Sequence, residues 1–416
     1  MKKVFLICIV VIFGLILVSC SEDKNENPTF ERKIASGSDF SLVITEKGNL
    51  YGFGSSFGSM LGQSDLLEDI HSEPILLDSY FNLSEKETFI SIHAGSNHAY
   101  AVTSSNRIFT WGWNLFGQTG VDDNNQVIAS PIDITSNVGL EDNEKIKVWA
   151  QGDFHTILLT TKNRVLGWGN NTNSNLGTHT SDLPSSLGTY VLVALDMTPL
   201  FNLDENETII SVGENLALTS MNRIFGWGAE VPVINESSLI TDLTHTITLN
   251  TDEVVLEIQN DSNIVKTNQD RFLAHVLYHT YPSDAYEHNW FDIKHDQKVD
   301  IETLVYGKND NSIIIDKDHK VWLHGKNAFA NLGTGHTDQV VSYDDDLLMF
   351  SSYFSFEWDI DWLENEYVID MTMSLKNTIL ITNKNRIFIM GDNTKGQIGD
   401  GTTTIALTPK LLVIED

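Results

Sequence analysis

Cysteine is scarce in this sequence, which has two among 416 residues. Cys8 lies inside an apolar run near the amino terminus, and Cys20 directly follows that run. The rest of the chain therefore contains no disulfide and no thiol nucleophile. A domain of roughly 390 residues without cross-links needs a large apolar core, and a chain of that length can bury one.

Basic residues are also few. The sequence has 26 Lys and Arg against 57 Asp and Glu, a formal net charge of −31, and no basic cluster interrupts the acidity. Because nucleic-acid binding depends on basic groups that release counterions, we expect no nucleic-acid partner. Two explanations of the charge stay open: it keeps an exported protein in solution, or it attracts a cationic protein partner.

Motifs for metal and phosphate chemistry are missing as well. There is no His-Glu-x-x-His segment and no phosphate-binding glycine loop. The best metal candidate begins at His275 and His279, but the repeat described below places His275 on a strand, where the two do not share a helical face. We therefore predict no catalytic residue, no metal and no cofactor. Whether the acidic segments 122–125 and 344–346 bind calcium stays open.

The first residues have the pattern of an export signal. Two lysines precede an apolar run over residues 4–18, which is short for a membrane-spanning helix. The run ends in Leu-Val-Ser-Cys, which resembles a bacterial lipobox with Cys20 as the lipidated residue. We expect a signal peptide over residues 1–19, a lipidated tether over 20–29 and a folded domain over 30–416. The protein would then sit outside the cytoplasm at a bacterial cell envelope, anchored in the membrane by lipid. A simple secretory signal or an anchor helix is the alternative.

One short pattern returns seven times in the folded part. An Arg-like anchor follows a Thr by four residues and precedes a Gly by five, at intervals of 48 to 66 residues. The sixth copy has Asp316 instead of Thr, and the fifth has Val276 instead of Gly. The anchors are Asn49, Arg107, Arg164, Arg223, Arg271, Lys320 and Arg386. The repeat glycines, expected where the backbone leaves no room for a Cβ atom, are Gly54, Gly112, Gly169, Gly228, Gly325 and Gly391. Such a period is typical of closed repeat architectures.

Each copy also has the pattern of a buried hairpin. Apolar residues precede and follow the anchor without alternating with polar ones, so both faces of these strands should be covered. Similar stretches at residues 81–88 and 201–208 precede further β-rich segments, so each unit holds about four strands. The predicted fold class is all-β, a seven-bladed β-propeller of four-stranded blades.

Ring closure is predicted from the two ends of the domain. The chain enters in a strand before Gly37, so we expect the first blade to lack its outermost strand. The segment 408–413 resembles residues 73–77 and 130–134. We therefore expect the carboxyl-terminal strand to complete blade one and so close the ring.

These residues resemble the regulator-of-chromosome-condensation repeat family. Its units carry a Gly before a His-containing hairpin, a Trp-Gly step and a Gly-Gln-Leu-Gly-like loop. The clearest copy here contains Gly95 and His98, then Trp111 and Gly112, then the loop at residues 117–120. The resemblance covers about residues 30–416 and is weakest over 230–310. It implies a propeller, and the closing Gly-Asp-Gly-Thr-Thr-Thr segment is similar to bacterial members. The exchange activity of the family's chromatin-bound founder is not expected. A bacterial relative that caps β-lactamases with an aromatic-rich loop face supports protein binding.

Aromatic residues supply the candidate contact surface. The longest interval, between the sixth and seventh copies, is rich in them, and others lie in the loops after the repeat glycines. Rigid rings among acidic residues suit capture of a protein, and they also suit stacking on sugars. Packing in an irregular outer strand is the structural alternative. The candidate contact residues are Phe57, Trp113, Phe116, Tyr353, Phe354, Trp358 and Trp362. His98 and His155 are expected to be structural hydrogen-bonding residues.

Taken together, these patterns predict a lipid-anchored, monomeric scaffold for protein–protein interaction and not an enzyme. Its partner would be an envelope or extracellular protein, with a cationic surface if the charge serves binding. A glycan-binding surface protein is the first alternative. A propeller lyase or hydrolase that uses acidic residues at the central pore is the second.

Overall fold

The computed structural model describes residues 31–63, 69–123, 125–178, 189–228, 239–259, 262–280, 285–293, 301–306, 311–316, 318, 320–338 and 354–415. The side chains of residues 276–280, 285–289, 291, 301–306 and 354 are excluded from that description. The expected signal peptide, Cys20, the tether and Tyr353 therefore lie outside the described residues.

The described strands form seven antiparallel sheets of four, each made of four consecutive strands. Blade one contains β1 (Ile34–Ser36), β2 (Phe40–Ile44), β3 (Leu50–Ser55) and β4 (Ile70–Leu76). Blade two contains β5 (Phe89–Ala94), β6 (His98–Thr103), β7 (Ile108–Trp113) and β8 (Val127–Asp133). Blade three contains β9 (Ile146–Gln151), β10 (His155–Thr160), β11 (Val165–Asn170) and β12 (Tyr190–Asp196). Blade four contains β13 (Ile209–Val212), β14 (Leu216–Thr219), β15 (Ile224–Gly226) and β16 (Thr241–Asp242).

The other three blades follow the same order. Blade five contains β17 (Val255–Ile258), β18 (Ile264–Thr267), β19 (Phe272–Thr280) and β20 (Ala285–Asp292). Blade six contains β21 (Ile301–Tyr306), β22 (Ser312–Asp316), β23 (Val321–His324) and β24 (Phe354–Phe356). Blade seven contains β25 (Val368–Met373), β26 (Asn377–Thr382), β27 (Ile387–Gly391) and β28 (Ala406–Leu412). Helical structure in the described residues is limited to α1 (Thr135–Val138) and the 3₁₀ turns Phe57–Ser59, Asp78–Tyr80 and Thr198–Phe201. The predicted all-β, seven-bladed architecture is confirmed.

The second strand of each blade is covered on both faces. β2, β6, β10 and β26 are buried along their whole length, whereas the outermost β8 is largely exposed. Neighbouring blades are joined by indole hydrogen bonds. Trp111 Nε1 donates to the Met60 carbonyl of the preceding blade at 2.8 Å, and Trp227 Nε1 donates to the Asn175 carbonyl at 2.8 Å. Two-sided burial between blades explains why the strand sequences do not alternate polar with apolar residues.

The prediction for ring closure was wrong. β28 pairs with β27 and is the outermost strand of blade seven, while blade one already has four strands of its own. Its likeness to residues 73–77 and 130–134 reflects the same place in successive blades, because both of those segments lie at the outermost strand. The seam is closed by packing: Ile34 and Val43 share a buried apolar cluster with Ile379 and Ile389 of blade seven. Lys376 Nζ also binds Asp39 Oδ1 across the seam at 2.7 Å.

The repeat glycines lie at or near the ends of the third strands, and all six have positive φ angles, which side chains disfavour. Gly112 has φ +95°, and a Cβ added there would lie 2.6 Å from the Asn97 carbonyl oxygen. In blade five, which lacks the repeat Gly, the third strand is longer. With Val276 in place of Gly, β19 continues to Thr280 and pairs with β20 through to Ala285. The blade that lacks the Gly thus has the longest uninterrupted outer hairpin among the described strands.

The arginine anchors belong to a repeated ion-pair clasp. Each binds a buried glutamate that lies just before the first strand of its blade, and four of the five also bind an aspartate at the end of the fourth strand. The Nη1–Oε2 pairs are Arg107–Glu87 (3.1 Å), Arg164–Glu144 (2.8 Å), Arg223–Glu207 (2.7 Å), Arg271–Glu253 (2.5 Å) and Arg386–Glu366 (2.6 Å). Burial opposes ionisation of Glu87, but hydrogen bonds from Thr103 and the Ser84 backbone, with the Arg107 charge, outweigh it and lower its pKa. The clasp ties the start, middle and end of a blade together.

Candidate binding surface

The two ends of the sheets differ in character. At one end lie the turns between first and second strands and the loops between third and fourth strands, which we call the loop face. In blades one to three its described loops are residues 56–63, 114–123 and 171–178. At the other end, the hairpin face, lie the turns between second and third strands and the connections between blades. The arginine clasps are on the hairpin face.

One asparagine in each of four loop-face loops fixes the loop conformation. Asn114 Oδ1 accepts the Thr119 N–H at 3.2 Å, and its Nδ2 donates to the Asn125 carbonyl at 3.1 Å. The same Oδ1 bond to the N–H five residues later is made by Asn171, Asn327 and Asn393. In blades two and seven the loop glutamine adds a second brace, since Gln118 Oε1 accepts the Phe116 N–H at 2.7 Å. These motifs therefore shape the loops and hold their tips in one position.

Five aromatic side chains lie on the loop face of blades one to three in two clusters, one of Phe57 with Trp113 and one of Phe116 with Phe154 and Tyr190. We call these five residues the aromatic patch. Phe57 is 61% exposed, and its ring centroid lies 6.4 Å from that of Trp113. Phe116 packs edge-to-face on Phe154 at 4.9 Å and on Tyr190 at 5.4 Å. Gly58 lies flat against the Trp113 indole, where a Cβ would meet Nε1 at 1.8 Å. One cluster therefore connects the 3₁₀ turn of blade one to blade two, and the other connects blade two to blade three.

A cleft of about 230 Å³ opens beside the patch. Its walls are formed by Asn114, Leu115, Gly117, Asp123, Gln126, Tyr190 and Leu192. Leu115 is 37% exposed at its rim. The Asp123 carboxylate accepts hydrogen bonds from Asn125, a neutral residue, and has no cationic partner among the described residues. The cleft thus combines an apolar wall, an aromatic ring and one unneutralised negative charge.

The structure places three of the predicted contact residues on the loop face and does not bring the others to them. Phe57, Trp113 and Phe116 lie in the aromatic patch. Trp362 is 38% exposed but lies on the hairpin face, where it packs 6.2 Å from the Phe388 ring. The side chain of Phe354 and the whole of Tyr353 lie outside the described residues.

Trp358 was wrongly predicted as a contact residue. It is 4% exposed in the core between blades six and seven, and its Nε1 donates to the Leu332 carbonyl at 3.0 Å. Blade seven has Met390 where blades two to four have the interblade tryptophan. A Cβ on Gly333 would meet Met390 Sδ at 2.4 Å and Trp358 Nε1 at 3.0 Å. Trp358 lies outside the repeat pattern, and its indole therefore takes the place of the interblade tryptophan that blade seven lacks.

Three members of the surface were not predicted from sequence. Phe154 lies in the turn after β9, Tyr190 begins β12, and Asp123 closes the cleft. No motif distinguishes the first two, because they meet Phe116 only through the packing of blade two against blade three. Asp123 belongs to the acidic segment that the sequence analysis considered for calcium.

The histidines of the hairpin motif are structural. His98 and His155 are buried, with His98 Nε2 3.1 Å from Gln151 Nε2 and His155 Nε2 3.4 Å from the Glu214 carbonyl. Burial lowers the pKa of His155 to about 4. His275 is also buried and packs on Trp290 at 4.9 Å, whereas the side chain of His279 lies outside the described part. Among the described residues, no three His, Cys, Asp or Glu side chains form a group that could hold a metal ion.

The segment from Gly54 to Gly58 matches Gly-x-Ser-x-Gly, the nucleophile pattern of α/β-hydrolases, with Ser56 at its centre. In those enzymes the Ser occupies a strained turn between a strand and a helix. Ser56 instead has ordinary right-handed backbone angles, φ −93° and ψ −3°, and precedes a single 3₁₀ turn. The match therefore supports no catalytic assignment. Separately, no helix in the described residues is long and apolar enough to cross a membrane.

Comparison with known proteins identifies the repeat. The model of the regulator of chromosome condensation (RCC1) repeat matches residues 32–58, 89–118 and 150–175. Blades one to three of this propeller are RCC1 repeats. The three matched segments belong to blades one to three, and they contain four members of the aromatic patch: Phe57, Trp113, Phe116 and Phe154.

Two relatives of this RCC1-repeat propeller are eukaryotic proteins. Protein pim1 of Schizosaccharomyces pombe is 26% identical over 232 residues, which cover 52% of this chain and 41% of pim1. The ultraviolet-B receptor UVR8 of Arabidopsis thaliana is 37% identical over 145 residues, which cover 35% of this chain and 30% of UVR8. The chain thus spans less than half of the length of either relative.

Solved structures support the same fold for this RCC1-repeat propeller. Yeast RCC1 (Prp20) bound to Kap60 aligns with TM-score 0.64 at 13% identity, over 95% of this chain and 90% of that one. Prp20p of Saccharomyces cerevisiae, described with its binding properties to Gsp1p and histones, aligns with TM-score 0.62 at 14% identity, over 90% and 86%. At these identities the likeness concerns the fold alone.

Proposed function

We propose that this RCC1-repeat propeller is a protein-interaction scaffold that binds its partner through the aromatic patch. The observation that carries the proposal is the patch itself, where Phe57 and Leu115 are exposed beside half-buried rings held by braced loops. Rigid aromatic anchors at a fixed surface are typical of the energetic centre of protein interfaces. Yeast Prp20, which shares the fold, was solved in complex with Kap60.

The cleft specifies the chemistry of the partner. Asp123 lies at its wall without a cation, in a chain with net charge −31. An Arg or Lys side chain of the partner would pair with this carboxylate and pack its stem on Leu115 and Tyr190. We therefore propose a partner with a basic side chain at the centre of its interface.

The proposed location is the outside of a bacterial cell envelope, with the membrane bound through lipid on Cys20. The support is the signal pattern of residues 1–19 together with the direction in which the chain enters the domain. β1 runs from the hairpin face to the loop face, since Ile34 pairs with Val43 near the β2–β3 turn. A tether attached there would leave the aromatic patch facing away from the membrane.

Neither alternative function has comparable support. Sugar platforms present flat, exposed rings, whereas the rings of Trp113 and Phe116 are half-buried and tilted by 58° to 72° against their neighbours. An enzyme needs titratable groups that converge in an accessible site, and His98 and His155 are enclosed in the core.

Site-specific capture tests the proposal. The full chain is used as bait in envelope extract, beside Phe57→Ser with Leu115→Ser and beside Trp362→Ala as a matched aromatic control on the opposite face. We expect one captured protein to be lost with the patch variant and kept with Trp362→Ala. Equal capture by all three would refute the patch as the contact surface.

Two further comparisons test the finer proposals. Asp123→Asn should weaken binding of the captured protein by about tenfold or more, which corresponds to about 1.4 kcal/mol. Asp142→Asn makes the same charge change at an exposed hairpin-face residue and should have little effect. Incorporation of labelled palmitate by the wild type and by Cys20→Ser checks the lipid anchor. Label in both proteins would contradict it.

A further inference from the structure

The innermost strands of six blades share one irregularity. In each of these blades one residue of the first strand pairs with the repeat Thr, or with Asp316 in blade six. Directly after that residue, the pairing between the first and second strands shifts register. In blade two Phe89 pairs with Thr103 and Ser91 with Val102, so Ile90 is the extra residue of a β-bulge. The extra residues of blades two to seven are Ile90, Lys147, Ile210, Leu256, Glu302 and Ile369. A bulge re-aims the side chain it carries, and the innermost strands of a propeller surround its central channel. We call these six residues the bulge ring.

The described side chains of the bulge ring are mostly aliphatic and reach solvent. Leu256 and Ile369 are each 51% exposed, although Val255 and Val368 directly before them are buried. Ile90 and Ile210 are half-buried. Each ring residue directly follows the residue that pairs with the repeat Thr or with Asp316, which ends the second strand next to the hairpin turn. The ring is therefore at the hairpin-face end of the channel, far from the aromatic patch. Four aliphatic side chains, from blades two, four, five and seven, therefore lie at that mouth of the channel.

Lys147 is the charged member whose side chain is described. Its ammonium donates to the carbonyl of Ile210, the ring member of the next blade, at 3.2 Å. No carboxylate in the described part of the chain forms an ion pair with it, although Asp and Glu outnumber Lys and Arg by 57 to 26. Burial lowers the pKa of this ammonium, as expected for a cation without a counterion. An ammonium has three donors, so two are available to a ligand.

The neighbouring charges leave Lys147 as the cation that a ligand would meet. Arg32 of blade one is within 3.8 Å of Asp370, which directly follows the ring member Ile369. Glu257, which follows Leu256, is exposed and accepts a hydrogen bond from Gln259 at 3.0 Å. A ligand carboxylate near either acid would be repelled, whereas the ammonium of blade three would attract it.

We propose that the hairpin-face mouth of the central channel binds a carboxylate attached to an aliphatic body. Lys147 holds the carboxylate, and the aliphatic members of the bulge ring contact the body. A carboxylate adds the Coulomb attraction of an opposite charge, which the neutral Ile210 carbonyl cannot supply, so a ligand of this kind gives the ammonium a better partner. The carboxylate comes from one of two sources: a free aliphatic acid, or the carboxyl terminus of a peptide with an apolar last residue. This site is independent of the proposed scaffold function.

Calorimetric titration of the full chain tests the site with octanoate and with a hexapeptide that ends in Leu and has a free carboxyl terminus. We expect at least one of them to bind at millimolar concentration, and the one that binds identifies the source. Octylamine and the amidated peptide should not bind. Binding of octylamine as strong as that of octanoate would overturn the proposal, as would absence of binding by both acids.

Variants link the binding to the ring. Lys147→Met keeps the aliphatic stem and should weaken binding by about tenfold or more. Lys145→Met makes the same charge change two residues away at an exposed side chain and should leave affinity within about twofold. Unchanged affinity of Lys147→Met refutes the site. If that variant melts early, Leu256→Asp, at an already exposed position in another blade, gives the same test, because its new carboxylate should repel the ligand.

Discussion

Protonation of one buried histidine should make the stability of this propeller depend on pH. His155 is buried at the start of β10, its ring lies against Gly152 and its Nε2 is near the Glu214 carbonyl. Burial lowers its pKa from an unfolded value of about 6.5 to about 4 in the folded state. Between these two values the unfolded chain binds more protons than the folded one, so the free energy of unfolding falls as pH falls.

The size of the effect follows from the shift. One pKa unit is worth about 1.4 kcal/mol, so the drop from about 6.5 to about 4 corresponds to about 3 kcal/mol, fully present above pH 6.5 and lost by about pH 4. In blade four the carbonyl of Leu216 accepts the N–H of Gly213, as the carbonyl of His155 accepts that of Gly152, so His155→Leu introduces a residue that the fold already uses after this turn. The variant should lack this component of the pH dependence.

Equilibrium unfolding in urea at a series of pH values from neutral to acid is the assay. The carboxylates affect wild type and variant alike, so the difference between the two curves isolates His155. We expect that difference to change by about 3 kcal/mol in favour of the variant between pH 7 and pH 4. A difference that stays constant across this range would refute the reasoning. Unequal m-values would show that unfolding is not two-state, and thermal melting would then replace the urea series.

Three other outcomes are expected from single substitutions. Gly112→Ala should lower the free energy of unfolding by about 3 kcal/mol or more, because the new Cβ meets backbone. Gly139→Ala, also at positive φ but with open space around it, should lower it by about 1 kcal/mol. Equal losses in urea unfolding would contradict the clash. Trp358→Ala should cost about 3–5 kcal/mol and Trp362→Ala under about 1 kcal/mol, since only the former leaves a core cavity; the reverse order would place Trp358 at the surface. Glu87→Gln should lower the free energy of unfolding at pH 7, and this difference from wild type should shrink as pH falls below about 4. The reason is that the lowered pKa of Glu87 gives stability that is present above the unfolded pKa and lost in acid. A difference independent of pH would show that the charge of Glu87 is not what stabilises the clasp.

The sequence specified the blades well because each blade is a local unit. The spacing from Thr through the anchor to Gly places a hairpin between two adjacent strands. In the structure Thr103 ends β6 and Gly112 lies on the adjacent β7, where it pairs with His98. How the ring closes could not be predicted in the same way. A fourth strand has the same pattern whether it completes its own blade or the first one, so residues 408–413 did not decide between the two.

The binding surface depended more on contacts between blades, and sequence reasoning was correspondingly weaker there. Phe57, Trp113 and Phe116 follow repeat glycines and were predicted from that position. Trp358 was misread because the missing interblade tryptophan of blade seven, replaced by Met390, is visible only once blades six and seven are packed together. The bulge ring was missed for a related reason, since a bulge is defined by the register between two strands.

The seam between blades one and seven, which is closed without a shared strand, has a consequence for how such a ring changes during evolution. No strand is shared across the seam, so each blade is one uninterrupted length of polypeptide. Duplicating or deleting the corresponding stretch of a gene adds or removes a complete module and leaves no orphaned strand elsewhere. Such a ring can also absorb divergent copies one at a time, as blade five has done without its Gly and blade six with Lys320 as its anchor. Cutting the chain at any connection between blades and joining the present ends would preserve every sheet.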